Sequence, residues 1–90
     1  MLEKKLYANG QKTFDIEKDV LTYYFKNGKI KAQGHLKNQK MQGEWRFYRE
    51  SGQLWQVGHF VDNEKNGSWI RYDKNDKVEY SKIFKDNKVI

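Results

Sequence analysis

Apolar and polar residues alternate along most of this chain, in short runs that are separated by turn-forming residues. Such alternation is typical of half-buried β-strands, because successive side chains of a strand point to opposite faces of a sheet. The turn-forming pairs are Asn27-Gly28, Asn38-Gln39, Ser51-Gly52, Asp62-Asn63 and Asp86-Asn87. Asn-Gly is a strong hairpin signal, so we predict a two-residue turn at Asn27-Gly28 and at its equivalents. The pattern predicts an all-β chain of consecutive antiparallel hairpins.

The chain also repeats itself at an offset of 24 residues. The identical pairs are Tyr24 and Tyr48, Gly28 and Gly52, Gly34 and Gly58, His35 and His59, Gly43 and Gly67, and Trp45 and Trp69. We predict one repeat domain over residues 1–90, with a shortened first hairpin in 1–23, full repeats at 24–47 and 48–71, and a degenerate third repeat at 72–90. The third repeat has Asp76 where the others have a turn glycine, so we expect a less well formed turn there.

The predicted turns fix which residues lie opposite each other. With two-residue turns, Phe25 lies opposite Ile30, and in the next repeat Trp45 lies opposite Gly58. An indole can lie over a strand glycine and shield its backbone, so we predict that Trp45 covers Gly58. The predicted core face contains Leu21, Phe25, Ile30, Leu36, Trp45, Phe47, Leu54, Phe60, Trp69, Val78 and Phe84. The predicted second face contains Tyr24, Tyr48, Tyr72, Trp55, Val57, Arg46, Ile70, His35 and His59.

Composition narrows the classes of function. Aromatic residues make up 16% of the chain although the hydrophobic fraction is only 37%, so the apolar surface is concentrated in a few large rings. There is no cysteine, which excludes disulfides, thiolate catalysis and Cys-ligated zinc. The net charge of +6 can attract nucleic acid, anionic lipid or an acidic protein. No apolar run is long enough to cross a bilayer, and the first residues contain no apolar segment of the kind found in signal peptides, so we expect cytoplasmic residence.

The sequence from Gly43 to Tyr48, followed by Ser51-Gly52-Gln53-Leu54, resembles the MORN-variant repeat, as does the sequence from Gly67 to Tyr72. It is similar to the small bacterial proteins named for the YwqK-type antitoxin, from about Leu21 to the C-terminus. The departures are Asp76 in the turn, Lys82 at the strand-glycine position and Arg71 where Phe47 stands in the second repeat.

The resemblance implies an elongated, twisted antiparallel sheet of stacked hairpins. It also implies an antitoxin or immunity-type role, in which the protein binds and neutralises a partner toxin. Two other functions remain open from the residues themselves: binding of single-stranded nucleic acid and binding of anionic lipid, both through a basic aromatic sheet face. We expect a monomer or a weak dimer that forms through sheet edges.

Most residue types that suggest chemistry are accounted for by the repeat. His35 and His59 are one repeat apart, which favours a packing role over a metal pair, since zinc needs further ligands. No pair of acids or activated serine suggests an active site, so we predict no enzyme activity, no cofactor and no metal. Trp55 is different, because its repeat equivalents are Lys31 and Glu79. The candidate partner-binding residues are Trp55, Tyr48, Arg46, Tyr24, Tyr72 and His59.

Overall fold

Nine antiparallel strands form one sheet in the computed structural model, which describes residues 5–90. The strands are β1 (Phe14–Glu17), β2 (Val20–Tyr24), β3 (Ile30–Lys37), β4 (Lys40–Tyr48), β5 (Leu54–Val61), β6 (Glu64–Lys65), β7 (Gly67–Tyr72), β8 (Val78–Lys85) and β9 (Lys88–Val89). They are arranged in the order β1-β2-β3-β4-β5-β7-β8-β9, and the short β6 also pairs with β5. The described residues contain no helix, and the sheet of successive hairpins confirms the predicted all-β class.

The turns at one end of the sheet are three-residue loops, so the prediction of two-residue turns was wrong there. Phe25 N–H donates to Lys29 O at 2.8 Å, and Gly28 N–H donates to Phe25 O at 3.0 Å. Gly28 alone has a positive φ, of 89°, in this loop. This combination of a type I turn and a bulged residue restores the strand twist that a type I turn by itself would disturb. The same two bonds recur at Arg49–Gln53 and Asp73–Lys77.

The turn of the third repeat adopts this geometry in spite of its missing glycine. Asp76 has a φ of 62°, and its N–H donates to Asp73 O at 3.1 Å. The Asp73 carboxylate also accepts the N–H groups of Asn75 and Lys77, at 2.8 and 3.0 Å. A side chain that bonds the turn backbone in this way stabilises the loop. The prediction of a less well formed turn was therefore wrong.

The turns at the other end are two-residue turns, as predicted. Asn38 and Gln39 both have positive φ angles, of 52° and 65°, as a type I′ turn requires. Asp62-Asn63 and Asp86-Asn87 have the same conformation. Asn63 also links two repeats, because its N–H donates to Met41 O at 3.1 Å and its side-chain oxygen accepts Met41 N–H at 2.7 Å. Asn87 makes the same two bonds with Lys65, at 2.9 and 2.6 Å.

Each hairpin contains a β-bulge next to its three-residue loop. In the second repeat Tyr48 pairs with Leu54 and Phe47 pairs with Gln56, which leaves Trp55 as the extra residue. Lys31 and Glu79 are the extra residues of the hairpins on either side. The bulge makes the predicted pair of Phe25 with Ile30 wrong. Ile30, Leu54 and Val78 lie opposite Tyr24, Tyr48 and Tyr72, so their predicted place on the core face was also wrong.

The core is held by tryptophans that lie over glycines. Trp45 is fully buried, and a methyl group added at Gly34 would overlap its indole ring. Trp69 covers Gly58 in the same way. Trp45 does pair with Gly58 in the ladder, as predicted, but its indole covers the glycine of the preceding hairpin, so that part of the prediction was wrong. The indole N–H groups donate to the carbonyls of His35 and His59, at 3.0 and 3.1 Å.

One face of the sheet carries this core, and we call it the aromatic face. Its buried apolar residues are Leu21, Ala32, Trp45, Phe60, Trp69 and Phe84. Phe60 packs edge-on against both indoles, with ring centroids 6.3 and 5.3 Å apart. The described residues provide no second layer, so Trp45 is buried by what packs on it from within the sheet, including Gly34, Phe47 and Phe60.

Candidate functional site

The aromatic face contains an open apolar groove of about 390 Å³. We call it the aromatic groove. It is lined by Tyr23, Phe25, Lys31, Ala32, Met41, Trp45, Phe47, Tyr48 and Trp55. The rings of Phe25, Phe47 and Trp55 are half-buried, so each presents apolar surface to the groove. Burial raises the pKa of the Tyr23 phenol, which is the direction expected for a weakly hydrated site.

Trp55 lies on the aromatic face, so its predicted place on the second face was wrong. The bulge is the reason, because the extra residue shares a side of the sheet with its neighbour Gln56. Gln56 pairs with both Phe47 and Arg71, and Phe47 stacks on Trp69 with ring centroids 5.9 Å apart. The sequence prediction assumed that side chains alternate strictly between the two faces, and it therefore missed this change of face.

Trp55 also borders a second cavity, of about 500 Å³, which we call the arginine pocket. It is lined by Arg49, Trp55, Arg71, Asp73, Lys74, Asn75 and Glu79. The guanidinium groups of Arg49 and Arg71 lie 6.0 and 5.2 Å from the Trp55 ring centroid, within cation–π range. Arg71 also lies 5.1 Å from the Tyr80 ring. Trp55 is therefore the boundary between an apolar groove and a cationic pocket.

Sequence reasoning missed Arg49 and Arg71 as site residues. Arg71 was noted as a departure from Phe47 in the repeat, and that departure was the available signal. Arg49 falls at the end of a strand, where the repeat equivalents Phe25 and Asp73 share no chemistry with it. Neither arginine could be placed beside Trp55 without the bulge.

Arg46 lies on the opposite face of the sheet, paired with Val57, so the structure does not bring this predicted candidate together with Trp55. Its Nε donates to a Glu44 carboxylate oxygen at 2.9 Å. The pKa of Arg46 is raised by this hydrogen bond and by the charge of Glu44, with a smaller contribution from Tyr48. Both partners are well exposed, so this pair contributes little to stability. Tyr48 thus lines the aromatic groove and also interacts with Arg46, which lies two residues before it in β4.

Tyr24, Tyr48 and Tyr72 recur at the bulge of each hairpin. Two strand spacings separate neighbouring members of the row, which is about 10 Å. The backbone carbonyls of two of these tyrosines accept hydrogen bonds from side chains, which stabilises the fold. Tyr7 Oη donates to Tyr24 O at 2.7 Å, and the Arg49 guanidinium donates to Tyr72 O at 2.9 Å. Their regular recurrence favours a structural role for Tyr24 and Tyr72 over a role in binding.

His59 lies on the opposite face, paired with Glu44. Its Nδ1 is 3.1 Å from Ser68 O, and its carbonyl accepts the Trp69 indole N–H. His35 lines a smaller cavity, of about 250 Å³, together with Asp19 and Gln42. Within residues 5–90 there is no group of three or more His, Cys, Asp or Glu side chains that could hold a metal.

The two edges of the sheet are different. The β1 edge is partly covered by the preceding chain, since Thr13 N–H donates to Lys5 O at 2.8 Å. At the other end, β9 pairs only with Phe84 and Lys85 of β8. Val78 and Ile83 of β8 are 60% and 55% exposed. Among the described residues, no helix is long and apolar enough to span a membrane.

A family model described as MORN repeat variant matches three consecutive segments, at residues 20–38, 41–62 and 65–86. The first two segments contain β2 with β3 and β4 with β5, and the third contains β7 with β8. Together the matches cover more than half of the chain. No curated protein and no solved structure matches the chain.

Proposed function

Because the chain belongs to the MORN repeat variant family, whose repeats suggest a binding module, we propose that it is a non-catalytic module that binds a partner protein through the aromatic groove. The observation that carries the proposal is Trp55. It is a large, half-buried ring at a position that holds Lys31 and Glu79 in the neighbouring repeats. The repeat does not need an aromatic residue there, and tryptophan is enriched among the residues that dominate binding energy.

The neighbours of Trp55 support a protein partner. Phe25, Phe47 and Trp55 present a contiguous half-buried apolar surface, and two arginines adjoin it. Aromatic residues with arginine at the margin are typical of the central part of a protein interface. A flexible single-stranded nucleic acid would also stack on aromatic rings, but it requires a continuous cationic track, and Asp73 and Glu79 interrupt this one.

Within this function we propose an antitoxin or immunity-type role in the bacterial cytoplasm. The support is the resemblance of the repeats to YwqK-type antitoxins. The proposed partner is a toxin whose active surface is covered by the aromatic face. The remaining part of the proposal is a monomer, or a weak dimer formed through the open β8 edge, which light scattering over a concentration series would test.

Growth rescue tests the role directly. The neighbouring reading frame is expressed from an inducible promoter, alone and with the wild-type protein, Trp55→Ala or Arg46→Ala. We expect toxicity that the wild type and Arg46→Ala relieve and that Trp55→Ala does not. Calorimetry with the purified pair should show a loss of about 2 kcal/mol for Trp55→Ala, as for an interface hot spot. The Arg46 variant is the matched control, since Arg46 is exposed on the opposite face.

Three results would contradict the proposal. If expression of the neighbouring reading frame alone is not toxic, the antitoxin role is wrong. If the wild type and Trp55→Ala bind the partner with equal affinity, Trp55 is not part of the interface. Tight binding of a single-stranded oligonucleotide that weakens steeply with salt would favour the nucleic-acid function instead. Co-sedimentation with vesicles that contain phosphatidylserine would favour the lipid function in the same way.

A further inference from the structure

The arginine pocket is lined by three cationic side chains, those of Arg49, Arg71 and Lys74. Within residues 5–90, the ion pair found is that of Arg46 with Glu44, so neither Arg49 nor Arg71 is neutralised by a salt bridge. Asp73 lines the pocket, but its carboxylate accepts two backbone N–H groups of its own turn. Three cationic side chains and the two carboxylates of Asp73 and Glu79 line the pocket, which leaves a formal excess of one positive charge next to the apolar ring of Trp55.

The donors of these arginines are only partly used. Arg49 donates from one Nη to Tyr72 O at 2.9 Å, while its Nε is buried and has no hydrogen-bond partner in the described structure. Arg71 donates from Nε to the Gln56 side-chain oxygen at 3.3 Å, a long bond. Buried donors are normally satisfied, and an unsatisfied one calls for an explanation. The buried Nε is out of reach of a ligand from solvent, so an anion that enters the pocket would bond the Nη groups of the two arginines, for which only the bond from Arg49 to Tyr72 O is found in the described structure.

The surroundings limit what that anion is. Asp73 and Glu79 border the pocket, so they would repel a chain of closely spaced charges such as a phosphate backbone. A single compact anion meets less of this repulsion than a chain of charges, and both guanidinium groups lie within 6.0 Å of the same Trp55 ring centroid. The planar guanidinium fork matches the two oxygens of a carboxylate. On the other side of Trp55, the aromatic groove would receive an apolar group covalently attached to that carboxylate.

We propose that the arginine pocket binds one carboxylate of the partner protein, with a neighbouring apolar side chain of the partner in the aromatic groove across Trp55. This inference rests on the proposed protein-binding function and specifies its chemistry. The partner segment is an acidic residue flanked by a large apolar residue. The excess of lysine and arginine in this chain, with a net charge of +6, favours the approach of such an acidic segment.

Small probes can test the pocket without the partner. N-acetyl-phenylalanine carries a carboxylate beside an apolar ring, its amide carries the same ring without the charge, and phenyl phosphate carries a phosphate. Each is titrated into the full chain while the NMR signals of the Trp55 indole N–H and of the Nε–H groups of Arg49 and Arg71 are followed. We expect saturable shifts with the acid, with a dissociation constant on the order of 1 mM, and binding of the amide that is at least about tenfold weaker.

Variants connect the effect to the arginines. Arg71→Gln should abolish saturable binding of the acid, and Arg71→Lys, which keeps the charge but loses the fork, should weaken it about tenfold. Lys40→Gln is the control, because it removes one exposed positive charge at the other end of β4, and it should leave the binding unchanged. Unperturbed backbone spectra of the free variants show that the fold is retained.

Several outcomes would overturn the inference. They are equal binding of acid and amide, shifts spread over exposed lysines rather than the pocket, or preference for phenyl phosphate, which would indicate a phosphate ligand. Failure here is distinguishable from failure of the proposed function. If the partner's affinity falls with Trp55→Ala but not with Arg71→Gln, the groove binds a protein and the carboxylate assignment is wrong.

Discussion

Trp69 and Trp55 lie on the same face of one sheet, yet they are held in different ways. Trp69 is 5% exposed, covers Gly58 and donates its indole N–H to a backbone carbonyl. Trp55 is half-buried at a bulge, between the guanidinium groups of Arg49 and Arg71. Trp45 repeats the first arrangement one hairpin earlier, whereas no other hairpin repeats the second. The comparison distinguishes Trp69, which belongs to the repeated packing of the sheet, from Trp55, which that packing does not require.

The bulge explains why a repeat can vary at one position and remain regular elsewhere. The extra residue has no partner of its own on the facing strand, so its identity is not constrained by a cross-strand pair. Lys31, Trp55 and Glu79 occupy this position in three successive hairpins. A binding residue at the bulge position can therefore change while the strand pairing and the tryptophan–glycine contacts remain the same.

The largest effect on stability is expected at Gly34, where there is no space for an added methyl group. Gly34→Ala should lower the free energy of unfolding by about 3 kcal/mol, because the new methyl group would displace the buried Trp45 ring. Lys82→Ala is the control, since Lys82 occupies the same repeat position without a covering tryptophan, and it should change stability by less than about 0.5 kcal/mol. Urea unfolding measures both, and equal losses would show that the tryptophan–glycine contact does not determine stability.

The link between repeats should have a smaller effect. Asn63→Ala removes the side-chain acceptor for Met41 N–H and leaves alanine at a φ of 71°, so we expect a loss of about 2 kcal/mol. Gln39→Ala imposes the same backbone strain, at a φ of 65°, but removes no side-chain bond found in the described structure. The difference between the two variants in thermal unfolding isolates the hydrogen bond. If the two lose the same stability, Asn63 is only a turn residue.

The smallest effect is expected at the turn that lacks glycine. Asp76→Gly should raise the free energy of unfolding by about 0.5 kcal/mol, because glycine adopts the φ of 62° without steric cost. It also removes an exposed hydrogen bond from Gln53, which limits the gain. The reverse change, Gly52→Ala, should destabilise the equivalent turn at a φ of 96°. A rise in stability for Gly52→Ala would show that these turns do not depend on glycine.

The sequence alone predicted the hairpins because local turn chemistry and the repeat agreed. Asn38-Gln39 and Asp62-Asn63 marked turns that the structure contains, and five of the predicted core residues are buried: Leu21, Trp45, Phe60, Trp69 and Phe84. Before the first full repeat, β1 and β2 form a hairpin joined at Lys18-Asp19.

The binding face was not predictable in the same way. The bulge residues Lys31, Trp55 and Glu79 share no residue type that marks an extra position in a strand. Strict alternation therefore placed Trp55 on the wrong face and also assigned Leu54 to the core. The arginine pocket depends on that bulge, so Arg49 and Arg71 could not be brought to Trp55 from the sequence.

The most direct test applies one chemical change to both tryptophans. Trp69→Ala and Trp55→Ala are compared by urea unfolding of the full chain, with tyrosine and backbone signals followed by circular dichroism. We expect Trp69→Ala to lose about 3–5 kcal/mol, as for a buried aromatic residue. Trp55→Ala should lose about 1 kcal/mol or less, since Trp55 is half-buried and its cation–π contacts are partly hydrated. A loss for Trp55→Ala as large as that for Trp69→Ala would contradict the account, because Trp55 would then be part of the scaffold.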